Sequence, residues 1–159
     1  MEFFTDFFLP VVYAFFSAMA FAFLYKVRGI EMFFTSLGGG IGWLFYLLVM
    51  FAFRFETDVA GYLAAAFSIA LYAECMAILR RKPALIYSTI AIFPIVPGGA
   101  ILRTMEYLLQ GDLEKFASQG AYSLQVSGAI AIGILLGSSV VRLWRRAAAL
   151  LTRRKGTDL

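Results

Sequence analysis

Five apolar runs of about twenty residues each, separated by short charged turns, constrain this chain more than any other feature of its sequence. They cover roughly residues 7–25, 32–53, 59–79, 84–109 and 121–143. At a rise of about 1.5 Å per residue, a helix of about twenty residues crosses a hydrocarbon core of about 30 Å. Backbone polar groups find no water there, so such runs must satisfy their own hydrogen bonds as helices. The expected fold is therefore all-α, a polytopic membrane protein with five transmembrane helices. Only 15% of the 159 residues are charged, which leaves little for a solvated domain. The predicted organisation is a five-span domain over 1–144 and a basic tail over 145–159. Met1 to Asp6 carries acids where a secretory signal carries a basic region, so the first run is expected to be retained.

Basic residues orient the spans. Lys26 and Arg28, then Arg80, Arg81 and Lys82, then Arg142, Arg145, Arg146, Arg153, Arg154 and Lys155 fall on one side. That side collects eleven of the fourteen Lys and Arg, with Arg54, Arg103 and Lys115 opposite. The positive-inside rule makes the crowded side cytoplasmic, giving an N-out, C-in chain. The formal net charge of +4 is thus a matter of membrane topology, and nucleic acid is not an expected partner. Trp144 among the C-terminal arginines reads as an interfacial anchor.

The absence of histidine excludes His-based acid-base chemistry and His-ligated metals. The lone Cys75 cannot form an internal disulfide and reads as a packing residue. No catalytic constellation, metal cluster or cofactor motif is present, so an enzyme is not expected.

The fourth run contains Pro94-Ile95-Val96-Pro97-Gly98-Gly99. Each proline removes a backbone donor and displaces the carbonyl four residues back, at about 3 kcal/mol, so the carbonyls of Ile90 and Phe93 are predicted to be freed. Gly98 and Gly99 make the backbone approachable. Pro97 suits the start of a resumed helix, whose N–H groups would point into the break. The fourth helix is therefore expected to be broken between Pro94 and Gly99. Counting from Ala84, the break lies roughly 15 to 20 Å into the membrane, near its midplane. Gly38, Gly39, Gly40 and Gly42 in the second run lie at a similar depth, roughly 9 to 15 Å from the same side. They read either as a close-packing surface or as a second interruption. Two interruptions at one depth are the pattern of a secondary-transporter site, which makes Gly38, Gly39, Gly40, Gly42, Ile90, Phe93, Pro94, Pro97, Gly98 and Gly99 the candidate substrate-binding residues.

Glu74 is the one acid well inside an apolar run. Such a residue faces the bundle interior, either paired with an arginine such as Arg28 or Arg81, or binding a proton or cation during transport. Ala66, Ala70 and Ala77 share its face, which is expected to meet another helix. Gly133 and Gly137 in the fifth run have the spacing of a packing surface. Arg103, Glu106 and Tyr107 read as a solvated interfacial cluster or a gate, and residues 110–120 as a polar loop around a short helical turn.

Lys82-Pro83, Pro94-Ile95-Val96-Pro97-Gly98, Gly111-Asp112, Gly38-Gly39-Gly40-Ile41-Gly42-Trp43 and the glycine-rich fifth run together resemble the threonine/serine exporter family. The likeness is to the C-terminal-half type, the small subunit of two-component exporters such as that for succinate. The resemblance implies a bacterial inner-membrane exporter of hydroxy amino acids or a dicarboxylate, working with a larger subunit that carries the other five-span half in inverted orientation. Self-association is a further way to complete so small a bundle. The competing reading is a non-transporting assembly subunit, in which every glycine spacing serves packing alone.

Overall fold

The computed structural model describes residues 7–53 and 57–155. Met1 to Asp6, Arg54, Glu56 and residues 156–159 of the tail lie outside them, as do the side chains of Arg153, Arg154 and Lys155. Among the described residues every regular element is helical: α1 (Leu9–Leu24), α2 (Ile30–Phe53), α3 (Val59–Arg80), α4 (Ala84–Ile92), a 3₁₀ turn (Phe93–Ile95), α5 (Gly98–Gln110) and α6 (Leu113–Lys155). Helices α2, α3 and α6 are long and apolar enough to cross a membrane, and the α4–α5 pair, bent by 52°, makes a fourth candidate. Helix α1 is a shorter apolar helix of 16 residues with Pro10 in its first turn, where the missing donor costs nothing. The chain is a multi-pass membrane protein by these lengths.

Helix α2 lies at the centre, packed against α1, α3 and α4, while α3 makes its most extensive contact with α6. Small residues set these distances. Without a hydrophobic force between helices in lipid, close backbone approach supplies the attraction. A Cβ on Gly39 would stand 2.8 Å from Ala18 Cβ, and one on Gly42 would stand 2.5 Å from Ile69 Cδ1. Helix α2 runs unbroken through Gly38, Gly39, Gly40 and Gly42, so of the two readings of this cluster the close-packing surface is the one seen. The large apolar side chains point the other way: Phe23, Leu79 and Leu109 are among the exposed ones.

The α3–α6 seam follows the expected spacing. Gly133 faces Ala66 and Gly137 faces Ala70, with Cβ-to-Cβ approaches of 2.8 and 2.7 Å were either glycine an alanine. One turn further, Arg142 Nε lies 3.9 Å from Glu74 Oε1. The partner of Glu74 is thus Arg142 of α6 rather than Arg28 or Arg81.

Two expectations are corrected. Residues 113–120 are helical, so the polar loop shrinks to Gly111 and Asp112. Gly111 ends α5 in the left-handed conformation (φ 76°), and the Asp112 carboxylate accepts from the Lys115 backbone N–H at 3.1 Å. A C-terminal glycine and an N-terminal aspartate side by side turn the chain in two residues. The Lys115 ammonium, 2.7 Å away, and the Lys115 N–H together hold the Asp112 carboxyl below the usual carboxylate range. Cys75 is exposed rather than packed, because it lies off the face of α3 that meets α2 and α6.

Candidate functional site

The site is built from the interruption between α4 and α5. Pro94 cannot donate, and the chain tightens into a 3₁₀ turn in which Phe93 N–H donates to Ile90 O and Val96 N–H to Phe93 O. Both carbonyls predicted to be freed therefore accept a bond three residues ahead. Pro97 then sits at φ −77° and ψ 53°, and Gly98 N–H donates to Val96 O at 2.7 Å. This is an inverse γ-turn, which re-aims the chain into α5. Ala100 and Ile101 N–H both donate to Pro97 O. Among the described residues the Gly99 N–H has no protein acceptor, as the first turn of a helix dictates.

A cavity of about 540 Å³ opens beside this turn. Its floor is Pro94, Pro97, Gly98 and Gly99, and its walls are Trp43 of α2, Tyr62 of α3, Arg103 of α5, and Gln119 and Tyr122 of α6. A Cβ on Gly98 would meet nothing within 4 Å, and one on Gly99 only Arg103 Nη2, at 3.8 Å. These two glycines therefore leave open space where Gly38, Gly39 and Gly42 are closed upon by neighbours. Trp43 stacks on Tyr46 at 5.1 Å, and Tyr46 packs on Tyr62 at 5.0 Å, which makes one wall a rigid aromatic stack. The Tyr122 hydroxyl donates to Asp58 at 2.6 Å, tying α6 to the start of α3 beside that stack.

Two donors in the cavity lining lack protein partners among the described residues. The Gly99 N–H is without an acceptor and Arg103 makes no salt bridge among the described residues, while Trp43 Nε1, also without a hydrogen-bond partner, is buried out of reach of the cavity. A helix N-terminus and a guanidinium at one place favour an anion, and a guanidinium offers two parallel donors to a carboxylate. A smaller cavity of about 270 Å³ lies across Trp43 and Pro94, toward α1.

Of the ten residues singled out from sequence, Pro94, Pro97, Gly98 and Gly99 line the larger cavity. Gly39 supports it from below, since a Cβ there would stand 3.3 Å from Pro94 Cγ. Ile90 and Phe93 turn away: Ile90 is buried with Ala18 and Ala22, and Phe93 stacks on Phe21 at 4.1 Å. Gly38, Gly40 and Gly42 face Ala91, Phe15 and Ile69 and do not reach it. Glu74 lies at the basic end of the bundle and is absent from its walls.

Nothing in the sequence pattern marks out Tyr62, Gln119 or Tyr122, Trp43 enters only as the end of the glycine motif that carries the family resemblance, and Arg103 reads there as part of an interfacial cluster. The signal for Arg103 is its spacing, just over one helical turn beyond Gly99. Glu31 falls in a turn by its sequence position, yet it is 7% exposed and closes the opposite end. It accepts from Arg80 Nη2 at 2.8 Å, from the Tyr87 hydroxyl, and pairs with Lys82 at 3.2 Å. An acid opening one span, level with Arg80-Arg81-Lys82 closing another, is the clue to it.

Neither a curated protein nor a solved structure matches the chain. The family model described as "Threonine/Serine exporter, ThrE" matches residues 10–140, from the first turn of α1 to well past the middle of α6. That match takes in the broken span, the cavity and the packing glycines together, and it makes the chain a member of the threonine/serine exporter family, a family of transporters and not of enzymes.

Proposed function

We propose that this chain is one five-span half of a secondary transporter that exports a small carboxylate-bearing metabolite across the bacterial inner membrane. Helix α1, preceded by a π turn at Phe7 and Phe8, supplies the fifth span, with the N-terminus outside and the C-terminus inside. The other half is a larger subunit in inverted orientation, or a second copy of this chain. The substrate carboxylate sits near the midplane, against Gly99 N–H and the Arg103 guanidinium, with Trp43 and Tyr62 flanking its body. The observation that carries this reading is the coincidence of the proline–glycine break with a cavity lined by the unpaired Gly99 N–H and by Arg103. The family's description favours threonine or serine, and a succinate-like dicarboxylate fits the same donors. The ion-coupling role stays with Glu74: loss of its proton would change its hold on Arg142.

Proteoliposomes carrying the chain with its partner, loaded with labelled threonine, serine or succinate, test the reading. Efflux is expected to require this chain. Arg103→Gln is expected to reduce it roughly 10- to 100-fold at unchanged abundance, the factor for losing a charged hydrogen bond of about 1.5 to 3 kcal/mol. Efflux that proceeds equally without this chain would make it an assembly subunit instead.

A further inference from the structure

A second polar cavity, of about 400 Å³, lies at the basic end, away from the proline–glycine break. Arg81, Lys82 and Arg145 line it, with Glu74 and the first residue of α4, Ala84. Its charges are unevenly matched. Glu74 is drawn to Arg142, and Lys82 pairs with Glu31, whereas neither Arg81 nor Arg145 makes a salt bridge among the described residues. Two unpaired arginines, one from the α3–α4 turn and one from α6, thus line one space. The N-terminus of α4 adds to the same sign of field, since its cap, Pro83, offers no side-chain bond to the first N–H groups.

The backbone at Arg81 points the same way. Arg81 closes α3 at φ 53°, in the left-handed conformation where glycine is ordinarily found. An arginine there meets a conformational cost that glycine would not, and it places a guanidinium in the turn between α3 and α4. Around the cavity the surface is apolar: Ile78, Leu79 and Leu85 are exposed on α3 and α4, and Trp144 is exposed beside Arg145. Exposed tryptophan next to arginine marks the headgroup level of a bilayer.

We propose that this cavity binds a phosphate group, supplied by the headgroup of an anionic phospholipid. Basic pockets between membrane helices at this depth suit such headgroups, the phosphate taking the guanidinium donors and the acyl chains lying along Ile78, Leu79 and Leu85. A soluble phosphate would use the same donors but make no contact with those apolar residues. The bound lipid ties α3, α4 and α6 together at the surface where the Glu31 network already joins α2, α3 and α4.

The full chain purified in mild detergent tests this. Phosphatidylglycerol, phosphatidylcholine and inorganic phosphate are each titrated, with retention read by native mass spectrometry and protection by thermal unfolding. Phosphatidylglycerol is expected to be retained and to protect, phosphatidylcholine far less. The double variant Arg81→Gln/Arg145→Gln is expected to weaken phosphatidylglycerol binding roughly thirty-fold, at about 1 kcal/mol per basic residue. Arg81→Lys/Arg145→Lys, which keeps the charge, should stay within about fivefold of the wild type if one such contribution at most is lost. Lys115→Gln removes a charge at the other end and should change nothing. Inorganic phosphate that protects the wild type but not the double variant, with no lipid preference, would keep the phosphate site and overturn its lipid source. A folded double variant, by circular dichroism and gel filtration, that binds phosphatidylglycerol as the wild type does would overturn the site itself. So would an equal loss with Lys115→Gln.

Discussion

Glycine carries two opposite jobs in this molecule, and single substitutions separate them. At Gly39 an added methyl would press on Ala18 and Pro94, with backbone close behind, so Gly39→Ala is overpacking and is expected to destabilise by about 1 to 3 kcal/mol. At Gly98 the added atoms enter empty space. Gly98→Val should therefore leave abundance and thermal stability close to the wild type while it fills the cavity floor and lowers efflux at least tenfold. Measuring efflux against membrane abundance for both variants checks this: a Gly98→Val variant that transports normally would take the cavity out of the substrate path. Glu31 makes a third case. Its removal leaves Arg80, Lys82 and Tyr87 without their common acceptor, so Glu31→Ala is expected to cost about 3 kcal/mol, read as lowered resistance to thermal unfolding in detergent.

Among the elements, the α4–α5 interruption and the α3–α6 seam differ in what they tolerate. The seam is closed by backbone: a Cβ on Gly133 would approach Leu63 O to 2.6 Å and Phe67 N to 3.0 Å. A carbonyl in a helix cannot move aside as a side chain can, so Gly133→Val is expected to part α3 from α6 and deplete the protein from the membrane, as an immunoblot would show. The interruption is held by proline chemistry instead. Replacing Pro97 by alanine restores a donor and removes the ring that fixes φ, so α4 and α5 can straighten from their 52° bend. Pro97→Ala is expected to keep abundance within about twofold while efflux falls more than tenfold, the gap that separates a transport role from a kink kept for packing. If activity and abundance fell together, the assembly reading would be the better one.

For the whole molecule, the proposed five-span orientation is a statement about access. In a Cys75→Ala background, Thr57→Cys in the α2–α3 turn is expected to react with a membrane-impermeant thiol reagent applied outside. Arg28→Cys in the α1–α2 turn should react only after the membrane is opened. The reverse pattern would invert the chain and put the positive residues outside. Coupling is tested on the same scale. If Glu74 releases a proton during transport, Glu74→Gln abolishes the pH dependence of efflux in vesicles while the protein still assembles; an unchanged pH profile assigns the carboxylate to its pair with Arg142 alone.

Hydropathy, proline and glycine act locally, and the features they control were legible in the chain of residues. The helical membrane fold, the place of the break and the small-residue seams depend on neighbours within a turn or two, where backbone chemistry decides. The proline–glycine motif thus located the cavity floor at Pro94, Pro97, Gly98 and Gly99. Its walls were not legible. Trp43, Tyr62 and Tyr122 come from three helices, and the bond that fixes Tyr122 joins residues 64 positions apart. Likewise Arg142, rather than an arginine nearer in sequence, became the partner of Glu74, because α6 packs along α3 through Gly133 and Gly137. The residues alone determined where the backbone must open. Helix crossing decided which side chains surround the opening, since crossing geometry is set by how closely two distant backbones can approach.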